Sequence, residues 1–222
     1  MANISVIGAG VGGLSTAARL AKNGHTVEIY EASDQTGGKC RTEWFGEYGF
    51  DTGPSLLTIP AVYRDLFLKT GKRLEHMLDV VPVDPAFAYH FSDGKQVTFP
   101  NLSSPRTYLE IEKVFGSAAS KQWEGLMDRA DVMWEVSREP FVESELISIW
   151  SILKRKNLFK ELKQIAPFTS LRDLTKQYNL DPHLSMIVDR YATYTGSDPR
   201  KAPAVLLTIA YVESTFGAWH IS

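Results

Sequence analysis

The 222-residue chain sets 24 Lys and Arg against 26 Asp and Glu, a net charge of −2, and is 44% hydrophobic and 23% charged. That composition belongs to an ordinary globular protein with room for one or two domains and excludes a disordered chain. The near-neutral charge, with no K/R-rich tract interleaved with aromatics, leaves no nucleic-acid footprint.

One cysteine excludes an internal disulfide and a C-x-x-C redox pair. Histidines 25, 76, 90, 183 and 220 show no H-x-x-x-H or H-x-x-E spacing, so no metal is expected. Met1 to Ser5 lacks a basic leader and runs directly into a core strand, which predicts no signal peptide. The longest apolar run, Ala202 to Val212, is interrupted by Pro203 and Thr208 and is too short to span a bilayer. The expected compartment is the cytoplasm.

In chain order, Ile4 to Ile7 is a short apolar strand that enters Gly8-Ala9-Gly10-Val11-Gly12-Gly13, a G-x-G-x-x-G turn. Leu14, Ala17, Ala18, Leu20 and Ala21 recur at helical spacing, Gly24 closes the helix, and His25 to Tyr30 reads as a second strand. In such a β-α-β unit Gly8 makes the tight turn, Gly10 lets a pyrophosphate approach the backbone, and Gly13 lets the helix close on the strand. The N–H groups and positive dipole end of a helix starting near Val11 and Gly12 would then face the phosphates. Glu31 stands 23 residues after Gly8, at the end of the second strand, where a carboxylate accepts hydrogen bonds from a ribose diol. An Arg there would have suggested a 2′-phosphate. These features leave NAD and FAD both open, and the same turn also occurs with no ligand.

Next come Gly37-Gly38, Lys39, Cys40 and Arg41, then Gly46, and FDTGP from Phe50 to Pro54 followed by Ser55. Together with the turn, they resemble the extended N-terminal signature of flavin amine oxidases and carotenoid desaturases. The resemblance implies FAD, held by Gly8, Gly10, Val11, Gly12, Gly13, Glu31, Gly38, Lys39, Arg41, Gly53, Pro54 and Ser55. Glycines let a loop press on a planar ligand, and a cation offsets pyrophosphate charge. The family often has Arg where Lys39 stands; a Lys acts as a point charge rather than a fork. The competing reading of Lys39 and Arg41 is two solvated loop bases. Cys40 reads as a small loop residue despite its basic neighbours. Gly37 to Thr42 disfavours an NAD-dependent dehydrogenase.

Beyond Pro54, Thr58 and Pro60 predict the cap and first turn of a helix through Lys69. Leu78 to Val83, Phe87 to Phe91 and Gln96 to Phe99 predict strands, the last two joined at Ser92-Asp93-Gly94-Lys95, with Asp-Gly supplying positive φ angles. Ser104-Pro105 predicts a cap for a helix to Phe115, and helical segments continue to Glu213. Within them, Phe141 to Ala166 carries Leu146, Ile149, Trp150 and Leu153 on one face and Leu158, Phe159, Leu162 and Ile165 on another. The Lys154-Arg155-Lys156 corner lies between. This is either an interfacial element for peripheral membrane contact at the inner face or a pair of core helices with a solvated corner.

Arg190 to Ile221, RYATYTGSDPRKAPAVLLTIAYVESTFGAWHI, resembles a segment of phytoene-desaturase-like proteins. Asp198-Pro199 and Ala202-Pro203 set a turn and a helix start. Tyr191, Tyr194, Tyr211, Phe216 and Trp219 could line a tunnel or simply fill a core. The expected fold is α/β: a Rossmann-like FAD-binding portion with an incomplete parallel sheet over residues 1–75, and an inserted α+β, mostly helical substrate domain over 76–222. The family pattern continues past the segment matching Gly217 to Ile221, so the chain resembles an N-terminal portion. The resemblance implies hydride transfer from an apolar polyene to flavin N5. An amine or protoporphyrinogen oxidase and a non-catalytic FAD-binding piece are the alternatives. No catalytic residue is assigned; Glu213, an acid on an apolar helix, is a candidate base for which a structural role is favoured.

Overall fold

The computed structural model describes residues 1–143 and 158–221. The chain divides into two units, Met1–Val83 with Ala218–Ser222, and Asp84–Gly217.

In the first unit, β1 (Asn3–Ile7) and β2 (Thr26–Tyr30) are joined by α1 (Val11–Lys22) and pair in parallel, in register from Asn3↔Thr26 to Ile7↔Tyr30. In β1, Ile4 and Val6 turn inward while Ser5 and Ile7 face out, the period-2 alternation of a strand. Arg19 and Lys22 sit in the last turn of α1, where they complement the carbonyl end of the helix dipole. The chain leaves the helix at Gly24, with φ +88° and its N–H donated to the Ala21 carbonyl. Two short strands absent from the sequence reading follow: β3 (Thr42–Phe45) and β4 (Tyr48–Asp51) form an antiparallel hairpin over Gly46 at φ +66°. A two-residue hairpin loop requires positive φ at its first position, which glycine takes at no steric cost.

Helix α2 (Pro60–Thr70) begins at Pro60 as expected, but Thr58 does not cap it. Ile59 is the N-cap, at φ +51°, and no side chain caps the end. Pro60 lacks the N–H that would need an acceptor, which lessens the demand for a cap. β5 (Val80–Pro82), placed by the sequence division in the second domain, pairs antiparallel with the closing strand β8 (Trp219–Ile221) in this unit.

The second unit opens with the expected hairpin, β6 (Phe87–His90) and β7 (Gln96–Phe99). Its turn departs from expectation: only Gly94 takes positive φ, +86°. Asp93 contributes instead through Oδ1, which accepts the Lys95 N–H at 3.1 Å. Helix α3 (Ser104–Phe115) has Ser103 as its N-cap, and the Ser104 hydroxyl, expected to cap, lies 2.9 Å from that of Ser214.

Helix α4 (Ser117–Arg138) supplies the spine of the core. Trp123, Leu126, Ala130 and Met133, spaced three or four apart, are buried with Ile111, Leu171, Leu174, Leu184, Ile187, Val188 and Leu207. Each fully buried Leu or Ile contributes about 1.5–3 kcal/mol relative to exposure. Of Phe141 to Ala166, residues 144–157, including the Lys154-Arg155-Lys156 corner, lie outside the described residues. The described part is α5 (Leu158–Ile165). Then come α6 (Leu171–Gln177), capped by Ser170 Oγ, and α7 (Pro182–Asp189), capped by Asp181. A 3₁₀ segment (Arg190–Thr195) and α8 (Thr208–Phe216) complete the unit. Among the described residues no helix is long and apolar enough to cross a membrane.

Candidate functional site

The site is assembled from three loops of the first unit, held backbone to backbone. At the end of β1, Gly8 takes φ +96° and donates its N–H to the Tyr30 carbonyl at 2.7 Å, binding the turn to the end of β2. Gly10 then caps α1 without a side-chain hydrogen bond, and the first turn holds no acid. The first N–H groups of a helix have no acceptor one turn back, so this end presents open donors and positive dipole charge to an anion.

The glycines divide by what surrounds them. Gly13 is required by the fold itself: a Cβ there would overlap the Gly8 carbonyl oxygen and lie 3.1 Å from its carbon. Gly10 is different. Its φ of −75° suits any residue, and the nearest atom to a methyl group at that position would be Gly38 Cα at 4.0 Å; Gly8 and Gly12 have nothing within 4 Å. The face of the turn on which these glycines lie is therefore bare of protein.

The second loop closes on this turn. Gly37 donates its N–H to Ala9 O at 2.8 Å, and Gly38, at φ +63°, brings the site of its missing Cβ to 3.2 Å from Gly10 Cα. The third loop, Asp51 to Pro54, packs in turn on the second. A Cβ on Gly53 would overlap the Lys39 carbonyl oxygen and lie 2.7 Å from its carbon, and Thr52 donates its N–H to Arg41 O at 3.1 Å.

Glu31 sits at the open end of the turn. Its Oε2 accepts the Ala9 N–H at 2.7 Å, and Oε1 accepts the Ser33 N–H at 2.9 Å and the Ser33 hydroxyl at 3.0 Å. The Ser33 and Ala9 backbone bonds, with the Ser33 hydroxyl, hold the carboxyl down at about 2. Each oxygen of a carboxylate has about two lone-pair sites, so Oε2 keeps one for a hydroxyl. Arg41 is engaged by Glu43 at 2.7 Å, a partner the sequence reading did not weigh. Lys39 has no ion-pair partner among the described residues.

At Val11 the loops form an open-sided cavity of about 330 Å³, lined by Val11, Cys40, Arg41, Thr42, Asp51, Pro54, Ser55, Leu56, Leu57, Tyr63, His220 and Ile221. Its size falls within the range of small-molecule sites, about 300–1,000 Å³. Leu57, Tyr63 and His220 were missed by the sequence reading. His220 arrives because Leu57 and Trp219 exchange backbone hydrogen bonds at 2.8 and 2.9 Å, a pairing across the length of the chain with no local signal. Among the described residues no cluster of His, Cys, Asp or Glu could hold a metal.

In the second unit the structure gives Glu213 a different role from that of a free base. It is buried, with Oε2 accepting from Arg190 Nη2 at 2.6 Å and Tyr191 Oη at 3.1 Å, and Oε1 accepting from Tyr194 Oη at 2.7 Å. The Arg190 guanidinium lies over the rings of Phe87 at 4.5 Å and Tyr191 at 4.7 Å. Burial opposes its charge, but Tyr191, Tyr89 and Glu213 around it raise its pKa further. Burial likewise pushes the Tyr89 phenol up to about 12. The five aromatics considered as tunnel wall fall into separate groups: Tyr191 stacks on Tyr194 and both bond Glu213, Tyr211 and Phe216 meet edge to face and pack on Trp134, and Trp219 belongs to the first unit. The cavity beside Tyr191 and Glu213, about 20 Å³, is of the size of a single water.

Residues 6–69 match the NAD(P)-binding Rossmann-like domain family. Over 98% of its length the chain is 28% identical to a 4,4′-diapolycopene oxygenase of Methylomonas sp., covering 44% of that protein. Over 97% of its length it is 31% identical to a phytoene desaturase of Cercospora nicotianae, covering 34% of it. The chain thus spans less than half the length of these curated relatives. In fold it matches a redesigned putrescine oxidase with a TM-score of 0.62 and 14% identity, over 99% of this chain and 46% of that one.

Proposed function

We propose that the chain belongs to the phytoene desaturase-like branch of the FAD-dependent amine oxidase and desaturase superfamily, holds FAD along its three stacked loops and serves the dehydrogenation of a long apolar polyene, a reading supported by its likeness to the curated desaturases and to the Rossmann-like family. The observation that carries the cofactor reading is Gly10: neither its backbone angle nor its protein neighbours demand a glycine, so the bare face serves a group outside the chain.

In this reading Glu31 takes the ribose diol, the α1 end with Gly8, Gly10, Val11, Gly12 and Gly13 takes the pyrophosphate, and Gly38 and Lys39 flank it. Arg41, Pro54 and Ser55 line the cavity that receives the ring, and Gly53 holds their loop against the Lys39 carbonyl. Bound FAD supplies the hydride acceptor, while the protein positions substrate and tunes the ring. The Gly37–Gly38 loop, closed on the turn, favours FAD over NAD. Glu213 holds Arg190, Tyr191 and Tyr194 in place rather than taking a substrate proton.

Polyenes reside in lipid, and Phe141 to Ala166 is proposed as the segment that docks the protein on a bilayer. Leu162 at the surface of α5 and fully exposed Phe168 just beyond it support this. The test is spectroscopic. Purified protein should release one flavin per chain on denaturation, and anaerobic addition of a polyene such as phytoene should bleach the flavin band. Bleaching by an amine but not by polyenes would instead favour the amine oxidase alternative, for which the fold likeness to putrescine oxidase is the supporting observation.

A further inference from the structure

We propose that His220 binds the polar edge of the flavin ring and sets the reduction potential of the cofactor, an inference that rests on the FAD reading above. The strand that carries it is fixed from two sides. Trp219 exchanges backbone hydrogen bonds with Leu57, and His220 itself stands opposite Val81 in the β5–β8 pair. His220 is thus placed at the wall of the 330 Å³ cavity by secondary structure rather than by a free loop.

The other charged groups of that wall are engaged. Arg41 is paired with Glu43 at 2.7 Å, and Asp51 accepts from Thr42 Oγ1 at 2.8 Å. Cys40 and Tyr63 are the remaining titratable groups of the lining. The His220 ring makes no hydrogen bond among the described residues. His220 is exposed, and once a ring fills the cavity an imidazole at its wall must find partners on that ring or lose its hydrogen bonds.

An isoalloxazine presents carbonyl oxygens and ring nitrogens along one edge, which complements an imidazole able to donate or accept. A hydrogen-bond donor at the ring edge favours the more electron-rich form of the cofactor, so the midpoint potential should fall when this ring is removed.

The experiment compares wild type, His220→Phe and His220→Gln as flavin-loaded proteins, by visible absorbance and by midpoint potential. His220→Phe should shift the flavin band and lower the midpoint. His220→Gln should restore both toward wild type, because an amide still donates a hydrogen bond. A His220→Phe spectrum and midpoint matching wild type overturn the inference. Should that variant lose flavin, His220→Ala decides by the same two readouts, and wild-type values there overturn it. Wild type carrying no flavin would refute the cofactor reading itself, an outcome distinct from unchanged His220 variants.

Discussion

The carbonyl of Lys39 occupies the place where a Cβ of Gly53 would stand, so the second and third loops of the site meet main chain to main chain. Both sides of this contact are backbone, and neither can swing aside. Gly53→Ala should therefore force the loops apart, at a cost of about 1–3 kcal/mol, the range for overpacking. Chemical denaturation should show the loss, and flavin retention should fall with it.

Gly10 and Gly13 should separate binding from folding. Gly13→Ala collides with the Gly8 carbonyl and should destabilise the β1–α1 junction. Gly10→Ala meets only Gly38 Cα at 4.0 Å and should melt like wild type. It should still lose FAD affinity by about tenfold to a hundredfold, corresponding to one charge-assisted hydrogen bond of roughly 1.5–3 kcal/mol. Equal FAD affinity for Gly10→Ala and wild type would contradict a pyrophosphate at this face.

Glu31 links the turn to acid stability. Its carboxyl is held at about 2 against an ordinary 4.5, by Ser33 and Ala9 donors. As pH falls below 4.5 the unfolded chain takes the proton first, so the contribution of this group is full above that value and is lost between 4.5 and about 2. Asp198, held at about 2 by the Arg200 side chain and N–H, fades within the same acid range. Circular dichroism against pH should show Glu31→Gln less sensitive than wild type in that window and less stable than wild type at neutral pH.

The Arg190–Glu213 pair should behave as a unit. Removing one partner of a buried pair costs about 3–5 kcal/mol because the other charge is stranded, and the partial exposure of Arg190 places Glu213→Leu toward the lower end. Arg190→Met combined with Glu213→Leu should recover part of that loss, and thermal melts of the singles and the double measure the coupling.

What could be read from the sequence was what is local. Gly8 and Gly13 announce their roles because a tight turn and a close helix–strand contact are short-range demands, whereas the buried face of Trp123, Leu126, Ala130 and Met133 went unread within a general expectation of helix. The caps at Thr58 and Ser104 failed as local rules because Pro60 removes a donor and Ser214, from a distant helix, claims the Ser104 hydroxyl. The strands β3 and β4 were hidden inside a signature read for its glycines and acid rather than for Trp44, Phe45, Tyr48 and Phe50. His220 could not be placed at all, since its position depends on Leu57 and Val81, far away in the chain.

Because the three loops hold one another through carbonyls, N–H groups and missing Cβ atoms, the surface they offer is written almost entirely in main chain. The exposed side chains at Asp34, Gln35 and Thr36 can drift without altering it, whereas Gly10, Gly13, Gly38 and Gly53 cannot. A saturation substitution scan of residues 8–54 should therefore show isolated forbidden glycines, with buried Ala9 and Ala17 and the hydrogen-bonded Glu31 as the side chains that also resist change. Such a scaffold lets a lineage exchange most of its residues, and with them its substrate, while the same dinucleotide stays in place.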